Sequence, residues 1–99
     1  MNRLISSKLG AAIVTGASSG IGKVYAERLA ARGHDVVLVA RREDRLRRLA
    51  AELAERHGVL AEVLVCDLSK PEGVAMLVDR LEADAAISML VNNAGFSAL

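Results

Sequence analysis

A glycine-rich stretch at positions 15–22, reading T-G-A-S-S-G-I-G, has the residue types of an anion-binding loop. It follows a short apolar run and precedes a helical pattern, which predicts a turn between a buried strand and a helix. Glycines let the backbone approach a ligand closely, and the helix start offers free N–H groups and a positive dipole end. A pyrophosphate fits such a turn best, with further hydrogen bonds from Ser18 and Ser19. The alternative is a turn with a packing role only.

Two arginines lie where a dinucleotide site distinguishes its cofactors. Arg41 and Arg42 follow the second predicted strand. An NAD site places an acid there, about 20 residues beyond the loop, to hold the ribose 2′-hydroxyl. A guanidinium group instead pairs with a 2′-phosphate, so the sequence favours NADP over NAD. Arg41 is the better candidate because it comes directly off the strand. The competing interpretation is that both are surface charge, with Arg42 as the first solvated residue of the next helix.

Polar residues also follow the third and fourth predicted strands. Asp67 and Leu68 come after the third, where Asp67 alone would begin the turn before a helix capped by Ser69. The stretch 92–95 follows the fourth strand and reads N-N-A-G. From the residues alone, it would be a polar brace followed by a turn.

Alternating strand and helix patterns position these stretches. Strands are predicted at 11–15, 36–40, 60–65 and 87–91, and the first of the intervening helices should begin near Ser19. This alternation requires a parallel sheet with right-handed crossovers. Reversal of direction after the third strand gives the order 3-2-1-4 and a crevice above the glycine loop. The expected fold class is therefore α/β, a three-layer Rossmann-type parallel sheet that is partial, with residues 1–99 forming one incomplete domain.

Apolar spacing assigns a buried stripe to each predicted helix. Gly33 should end the first helix in the left-handed conformation. At the third helix, Ser69 and Glu72 should form a capping box, with Pro71 in the first turn. The expected stripes are Ile21, Val24, Tyr25 and Leu29 in the first helix, Leu46, Leu49, Ala50 and Leu53 in the second, and Val74, Leu77, Val78 and Leu81 in the third.

Composition argues against several classes of protein. Thirteen basic and twelve acidic residues give a net charge of +1 with alternating signs, which lends nucleic-acid binding no support. The single cysteine, Cys66, excludes an internal disulfide and suits a reducing compartment. No apolar run is long enough to span a bilayer, and the patch before the loop is needed as a strand rather than as a signal peptide. We therefore expect a cytoplasmic protein with no membrane partner.

The loop spacing G-x-x-x-G-x-G differs from the general G-x-G-x-x-G fingerprint and from a Walker loop. Together with N-N-A-G, it resembles the short-chain dehydrogenase/reductase family, whose loop reads T-G-x-x-x-G-x-G. The resemblance covers nearly the whole chain and implies a nicotinamide dinucleotide as partner, with NADP (NADPH) preferred. The cofactor-binding residues expected from the loop, the arginines and the resemblance are Gly16, Ser18, Ser19, Gly20, Ile21, Gly22, Arg41, Arg42, Asp67, Leu68, Asn93, Ala94 and Gly95.

The resemblance also implies individual roles. Asp67 would accept a hydrogen bond from the adenine amino group, with the backbone of Leu68 alongside the ring. Asn93 would lie near the adenosine ribose, and Gly95 would leave room for the cofactor. One departure is Ser88, where the family commonly has an acid. That departure should weaken a local hydrogen bond at most.

Enzymes of this family transfer a hydride between nicotinamide and a carbonyl or alcohol, with the tyrosine of Y-x-x-x-K as general acid or base. The lysine lowers the tyrosine pKa, and a serine holds the substrate oxygen. This sequence has one tyrosine, Tyr25, and the residue four positions further on is Leu29. Tyr25 is expected in the core, so no catalytic residue is assigned. His34 and His57 lack ligand spacing, so no metal site is assigned either.

The resulting interpretation is the amino-terminal, NADP-binding half of a short-chain reductase whose catalysis belongs to a longer parent protein. A stand-alone nucleotide-binding module and a nonfunctional remnant are the alternatives. We expect the parent to be a homo-oligomer. The isolated chain should be marginally stable or self-associate, because its fourth strand would present an open apolar edge.

Overall fold

The computed structural model describes residues 9–18 and 20–93, in which strands and helices alternate. Its four strands are parallel and lie in the order β3-β2-β1-β4. The predicted α/β class and strand order are confirmed, and the predicted strand ends lie within a residue of the observed ones. The elements are β1 (Ala11–Thr15), α1 (Gly20–Ala31), β2 (Asp35–Ala40), α2 (Glu43–His57), β3 (Ala61–Val65), α3 (Pro71–Ala83) and β4 (Ile87–Val91).

Side chains of the two central strands alternate between two apolar clusters, one on each face of the sheet. Ala12, Val14, Val36 and Leu38 pack with residues of α1 and α2 on one face. On the other face, Ile13, Val37 and Val39 pack with Leu77 and Leu81 of α3. Successive residues of a strand point to opposite sides, so both faces of the sheet are apolar. Helices pack on both faces, which gives three layers. All five residues of β1 are buried.

The second helix follows its sequence pattern closely. Its buried residues are Leu46, Leu49, Ala50 and Leu53, which is the predicted stripe. Acidic residues occupy the first turn and basic residues the last, as the helix dipole favours. Gly58 ends the helix at φ 70°, and its N–H donates to the Ala54 carbonyl at 2.9 Å. The strong apolar periodicity, the charged residues in the end turns and the glycine after the last turn explain why α2 could be predicted from the sequence.

The predicted stripe of α1 is wrong for three of its four residues. Ile21, Val24 and Tyr25 are 65%, 50% and 47% exposed, whereas Leu29 is buried. The residues that face the protein are Gly22, Ala26, Leu29 and Ala30. Small residues let the helix backbone approach the glycine loop and sheet closely, so residue size decides the buried face here rather than hydrophobicity.

The start of α3 also differs from prediction. Pro71 is in the first turn as expected, but the N-cap residue is Lys70 and no side chain caps the helix, so the predicted capping box is wrong. Ser69 instead donates its hydroxyl to Oδ1 of Asp67 at 2.6 Å. A Cβ on Gly73 would collide with the Asp67 carbonyl, so glycine is needed for α3 to begin so close to this turn.

The predicted α3 stripe is confirmed only in part. Leu77 and Leu81 pack against the sheet, but Val74 and Val78 are 43% and 42% exposed. The far end of the helix is held by Arg80, whose guanidinium binds the Glu62 carboxylate on β3 and Asp84 at the helix end. Hydrogen bonds to Glu62 raise the pKa of Arg80, and burial partly opposes them. This ion-pair network fixes α3 to the amino-terminal end of β3.

Candidate functional site at the carboxyl ends of the strands

The glycine loop leaves the carboxyl end of β1 and enters α1 directly. Gly16 and Gly20 have φ of 65° and 60°, a left-handed backbone conformation that residues other than glycine rarely adopt. Between them, the buried Ala17 donates its N–H to the Val39 carbonyl at 3.2 Å, which ties the loop to the end of β2. The loop is therefore held beside both central strands.

Close packing requires Gly22 in the first turn of α1. A Cβ there would overlap the Gly16 carbonyl and lie 2.8 Å from Nδ2 of Asn93. Gly20, in contrast, faces open space among the described atoms. The loop thus folds back on the helix start and leaves room beside Gly20. No acidic residue lies in the first turn of α1, so its positive dipole end is available to an anion.

Thr15 connects the glycine loop to the fourth strand. Its hydroxyl donates to Oδ1 of Asn92 at 3.1 Å and accepts from the Asn93 N–H at 2.7 Å. Thr15 is fully buried, so these bonds satisfy a polar group within the sheet. They also fix the backbone of Asn93 beside the loop. Thr15 was not among the predicted site residues, although a hydroxyl at the end of an apolar strand was the available signal.

Arg41 and Asp67 follow β2 and β3 at neighbouring positions, because the Cys66 N–H donates to the Ala40 carbonyl at 3.0 Å and extends the ladder. The Ser69 hydroxyl and N–H bind the Asp67 carboxylate, and these bonds lower its pKa, with the charges of Arg41 and Lys70 contributing less. The structure supports the interpretation of Asp67 as a turn residue. Its adenine contact stays a prediction.

The second predicted arginine is occupied differently. Arg42 Nε lies 3.7 Å from Oδ1 of Asp44, the second residue of α2. Both side chains are largely exposed. Arg42 is also the N-cap residue of α2, with extended backbone. Its guanidinium is therefore directed to its own helix, whereas the charge of Arg41 acts on Asp67.

Most of the predicted site residues lie at one edge of the sheet. Leu68 is half-buried in the apolar cluster on the α3 face, and Ile21 is exposed at the start of α1. Ser19, Ala94 and Gly95 lie outside the described residues. The residues gathered at the carboxyl ends of the strands are Gly16, Ser18, Gly20, Gly22, Arg41, Asp67 and Asn93.

Ser88, the departure from the family pattern, lies far from this edge at the beginning of β4. Its hydroxyl donates to the Leu9 carbonyl at 2.9 Å. The pairing of β4 with β1 shifts at this point, since Ala11 pairs with Ile87 but Ala12 with Met89. Ser88 is thus the extra residue of a β-bulge and supplies its own hydrogen bond.

The structure also places the other polar residues considered from the sequence, Tyr25, His34 and His57. Tyr25 is exposed on α1 and is not a core residue, contrary to expectation. His34 and His57 each have one buried ring nitrogen without a hydrogen-bond partner in the described part of the chain. Across residues 9–18 and 20–93, no group of three potential ligands could hold a metal ion, and no helix is long and apolar enough to cross a membrane.

A parallel α/β sheet with a glycine turn at its switch point defines a nucleotide-binding fold of the dinucleotide type. A sequence model of the short-chain dehydrogenase family matches residues 10–99. The chain belongs to that family, which confirms the resemblance drawn from the two motifs.

Individual relatives extend well beyond this chain. A very-long-chain 3-oxoacyl-CoA reductase of Yarrowia lipolytica is 45% identical over 88 residues, which cover 87% of this chain and 23% of the relative. The inactive hydroxysteroid dehydrogenase-like protein 1 of Homo sapiens is 37% identical over 84 residues, covering 85% and 26%. The chain therefore spans about a quarter of the length of these curated relatives.

Solved structures show the same likeness in three dimensions. A short-chain dehydrogenase from Sphingobium yanoikuyae, solved in complex with NADPH, has a TM-score of 0.85 and 53% sequence identity. The match covers 87% of this chain and 34% of that structure. Both the fold and the sequence thus support membership of the family.

Proposed function

We propose that this chain is the NADP-binding part of a short-chain dehydrogenase/reductase, and that the whole protein interconverts a carbonyl and an alcohol. The observation on which this depends is the meeting of the glycine loop, the start of α1 and Arg41 at one edge of the sheet. The NADPH complex of the Sphingobium yanoikuyae relative supports the choice of cofactor.

The residues present fit the dinucleotide in shape and charge. Two left-handed glycines shape the loop, and open space lies beside Gly20. The start of α1 would stabilise the pyrophosphate, since unpaired N–H groups and the dipole favour negative charge there. Thr15 would hold Asn93 in place beside the loop, and Arg41 would bind a phosphate on the adenosine ribose. The bound nicotinamide would supply or accept the hydride.

A non-catalytic nucleotide-binding role is the second candidate. One relative at 37% identity is described as inactive, so relatives of this chain include a protein without the enzymatic function. Measuring NADPH oxidation by the whole protein with a panel of ketones separates the two roles, because a binding module would bind the cofactor without consuming it.

Calorimetric titration of the purified chain with NADPH and NADH tests cofactor binding. We expect tighter binding of NADPH, and we expect Arg41→Gln to reduce that preference about tenfold through loss of charge-assisted hydrogen bonds. Arg47→Gln is the matched control, because Arg47 lies on the solvated side of α2 and pairs with Glu43 at 2.7 Å. Equal affinity of the unaltered chain for both cofactors, or no binding, would contradict the proposal.

A further inference from the structure

One face of α1 is exposed although three of its residues are large and apolar or aromatic. These are Ile21, Val24 and Tyr25, and the exposed Arg28 and Arg32 continue the same face toward the carboxyl end of the helix. Spacings of three, four, seven and eleven residues place all five side chains on one side of a helix. Within the described residues, neither arginine forms an ion pair. This face therefore combines exposed apolar surface with positive charge that no nearby carboxylate neutralises.

The outer face of α3 has the opposite charge. Glu72, Asp79 and Glu82 are exposed at helical spacing, and the exposed Met76 lies between the first two. Arg80 is the one cation of this helix, and it is held in the ion-pair network with β3 and the helix end. Among the described residues, the three exposed acids form no ion pair. The outer face of α3 is therefore acidic and has an apolar residue within it.

The two helical layers also differ in charge as a whole. Residues 20–34 and 41–58, which include α1 and α2, have nine lysines and arginines and five acids. Residues 66–86, which include α3, have two lysines and arginines and five acids. The fold therefore places a net positive layer on one face of the sheet and a net negative layer on the other. Opposite potentials of this kind steer the positive face of one molecule toward the negative face of another.

The two exposed faces cannot meet within one molecule. Because α1 packs on one face of the sheet and α3 on the other, the sheet separates Arg28 and Arg32 from the exposed acids. The two arginines are four residues apart, and Asp79 and Glu82 are three residues apart. Both spacings correspond to about one helical turn, so the two charged pairs match in separation. A second copy of this chain therefore supplies the complementary face that each molecule lacks on that side.

We propose that the exposed α1 face of one copy docks on the outer face of α3 of a second copy. The two arginines of α1 contact Asp79 and Glu82, and the apolar residues of α1 contact Met76. This contact joins two different surfaces, so each pair leaves one free face of each kind and further copies can add. Exposed ion pairs are weak and screened by salt, so the association is weak and salt-dependent. Association through the open edge of β4 would depend on apolar contacts and backbone hydrogen bonds instead.

Sedimentation velocity of the purified chain, without any dinucleotide, tests the proposed contact. We expect the weight-average sedimentation coefficient to rise with protein concentration at low salt. Addition of about 1 M NaCl should abolish this rise, because the Debye length then falls to about 3 Å. Omission of the cofactor makes the result independent of the proposed function.

Charge reversal on either face should prevent self-association. One variant combines Arg28→Glu with Arg32→Glu, and the other combines Asp79→Arg with Glu82→Arg. Each variant alone should sediment as a monomer at all concentrations, since its two faces then have like charge. An equimolar mixture should associate again, because the basic α1 of the second variant meets the acidic α3 of the first. Circular dichroism and thermal unfolding establish that both variants remain folded.

The matched control changes the net charge equally at another part of the positive layer. Arg42→Glu with Arg47→Glu lies at the start of α2, outside the exposed α1 face, and should associate like the unaltered chain. An equal loss of association in this control would overturn the inference, because net charge alone would then explain the effect. A mixture of the two reversed variants that remains monomeric would also overturn it.

Two results for the unaltered chain contradict the inference directly. One is a monomer at every concentration at low salt. The other is association that persists at high salt and in both reversed variants, which indicates that copies associate through β4 instead.

Discussion

The two sides of the sheet differ greatly in how completely they are buried. On the face that α1 and α2 cover, each of these helices has four buried residues. On the face that α3 covers, Gly73 is the one buried residue of that helix, and the edge strand β4 has no buried residue. Met89 and Leu90 of β4 are 39% and 46% exposed. The difference teaches that the glycine loop and Arg41 are supported by the better-packed side.

The largest expected effect is that of a methyl group added at Gly22, in the first turn of α1 on the better-packed side. Gly22→Ala should cost about 3 to 5 kcal/mol in the free energy of unfolding, because its Cβ would overlap the Gly16 carbonyl. It should also abolish dinucleotide binding by displacing the loop. Urea denaturation and NADPH titration measure the two effects.

Gly58→Ala is the matched control for that change. Gly58 has φ of 70° but faces open space among the described atoms, so only backbone strain is expected, at about 1 kcal/mol. Dinucleotide binding should be retained. An equal loss of stability in the two variants would mean that the close packing around Gly22 is not a constraint in solution.

A pair of truncations to alanine, one on the stripe predicted for each helix, compares α2 with α3. Leu46→Ala on α2 should cost about 2 to 4 kcal/mol, since Leu46 is fully buried in the first cluster. Val74→Ala on α3 should cost less than about 1 kcal/mol, because Val74 is 43% exposed. Denaturant midpoints at constant slope measure both changes. Similar losses at the two positions would contradict the contrast in packing.

The smallest effect concerns the turn after β3. The pKa of Asp67 is lowered, first by the Ser69 hydroxyl and then by the Ser69 N–H, from an ordinary value of 3.8. A lowered pKa means that the carboxylate stabilises the fold above pH 3.8, and this contribution is lost as the pH falls through the folded value. Ser69→Ala should raise the pKa of Asp67, as measured by an NMR titration of its carboxyl carbon. Ser88→Ala, at the other end of the sheet, should leave that pKa unchanged.

The sequence predicted the topology well because its signals are strong and local. Apolar runs identify the strands, and glycines at 16, 20 and 22 locate the turn that needs them. The stripe of α2 was correct because large apolar residues repeat at helical spacing. In α1 the same reasoning failed, since Gly22 and Ala26 face the sheet and larger residues face outward. Close backbone packing overrides hydrophobicity there.

Side-chain pairing explains the remaining differences. The capping box predicted for α3 was wrong because the hydroxyl and N–H of Ser69 both donate to the Asp67 carboxylate. Ser69 therefore does not cap the start of the helix. Arg42 and Arg45 are both arginines near the start of α2. Arg42 pairs with Asp44, whereas Arg45 lines a cleft between α1 and α2. Which partner an exposed arginine selects depends on three-dimensional neighbours that spacing along the chain does not reveal.

Cys66 has an experimental consequence for the less-buried side. Its free thiol is 7% exposed within the α3-side cluster, and burial, together with the charge of Asp67, raises its pKa. At neutral pH it therefore remains protonated and unreactive. Alkylation by iodoacetamide should occur only while α3 is transiently separated from the sheet. The alkylation rate therefore reports how often this opening occurs. Cys66 thus serves as a native probe of this local opening, and no label has to be introduced.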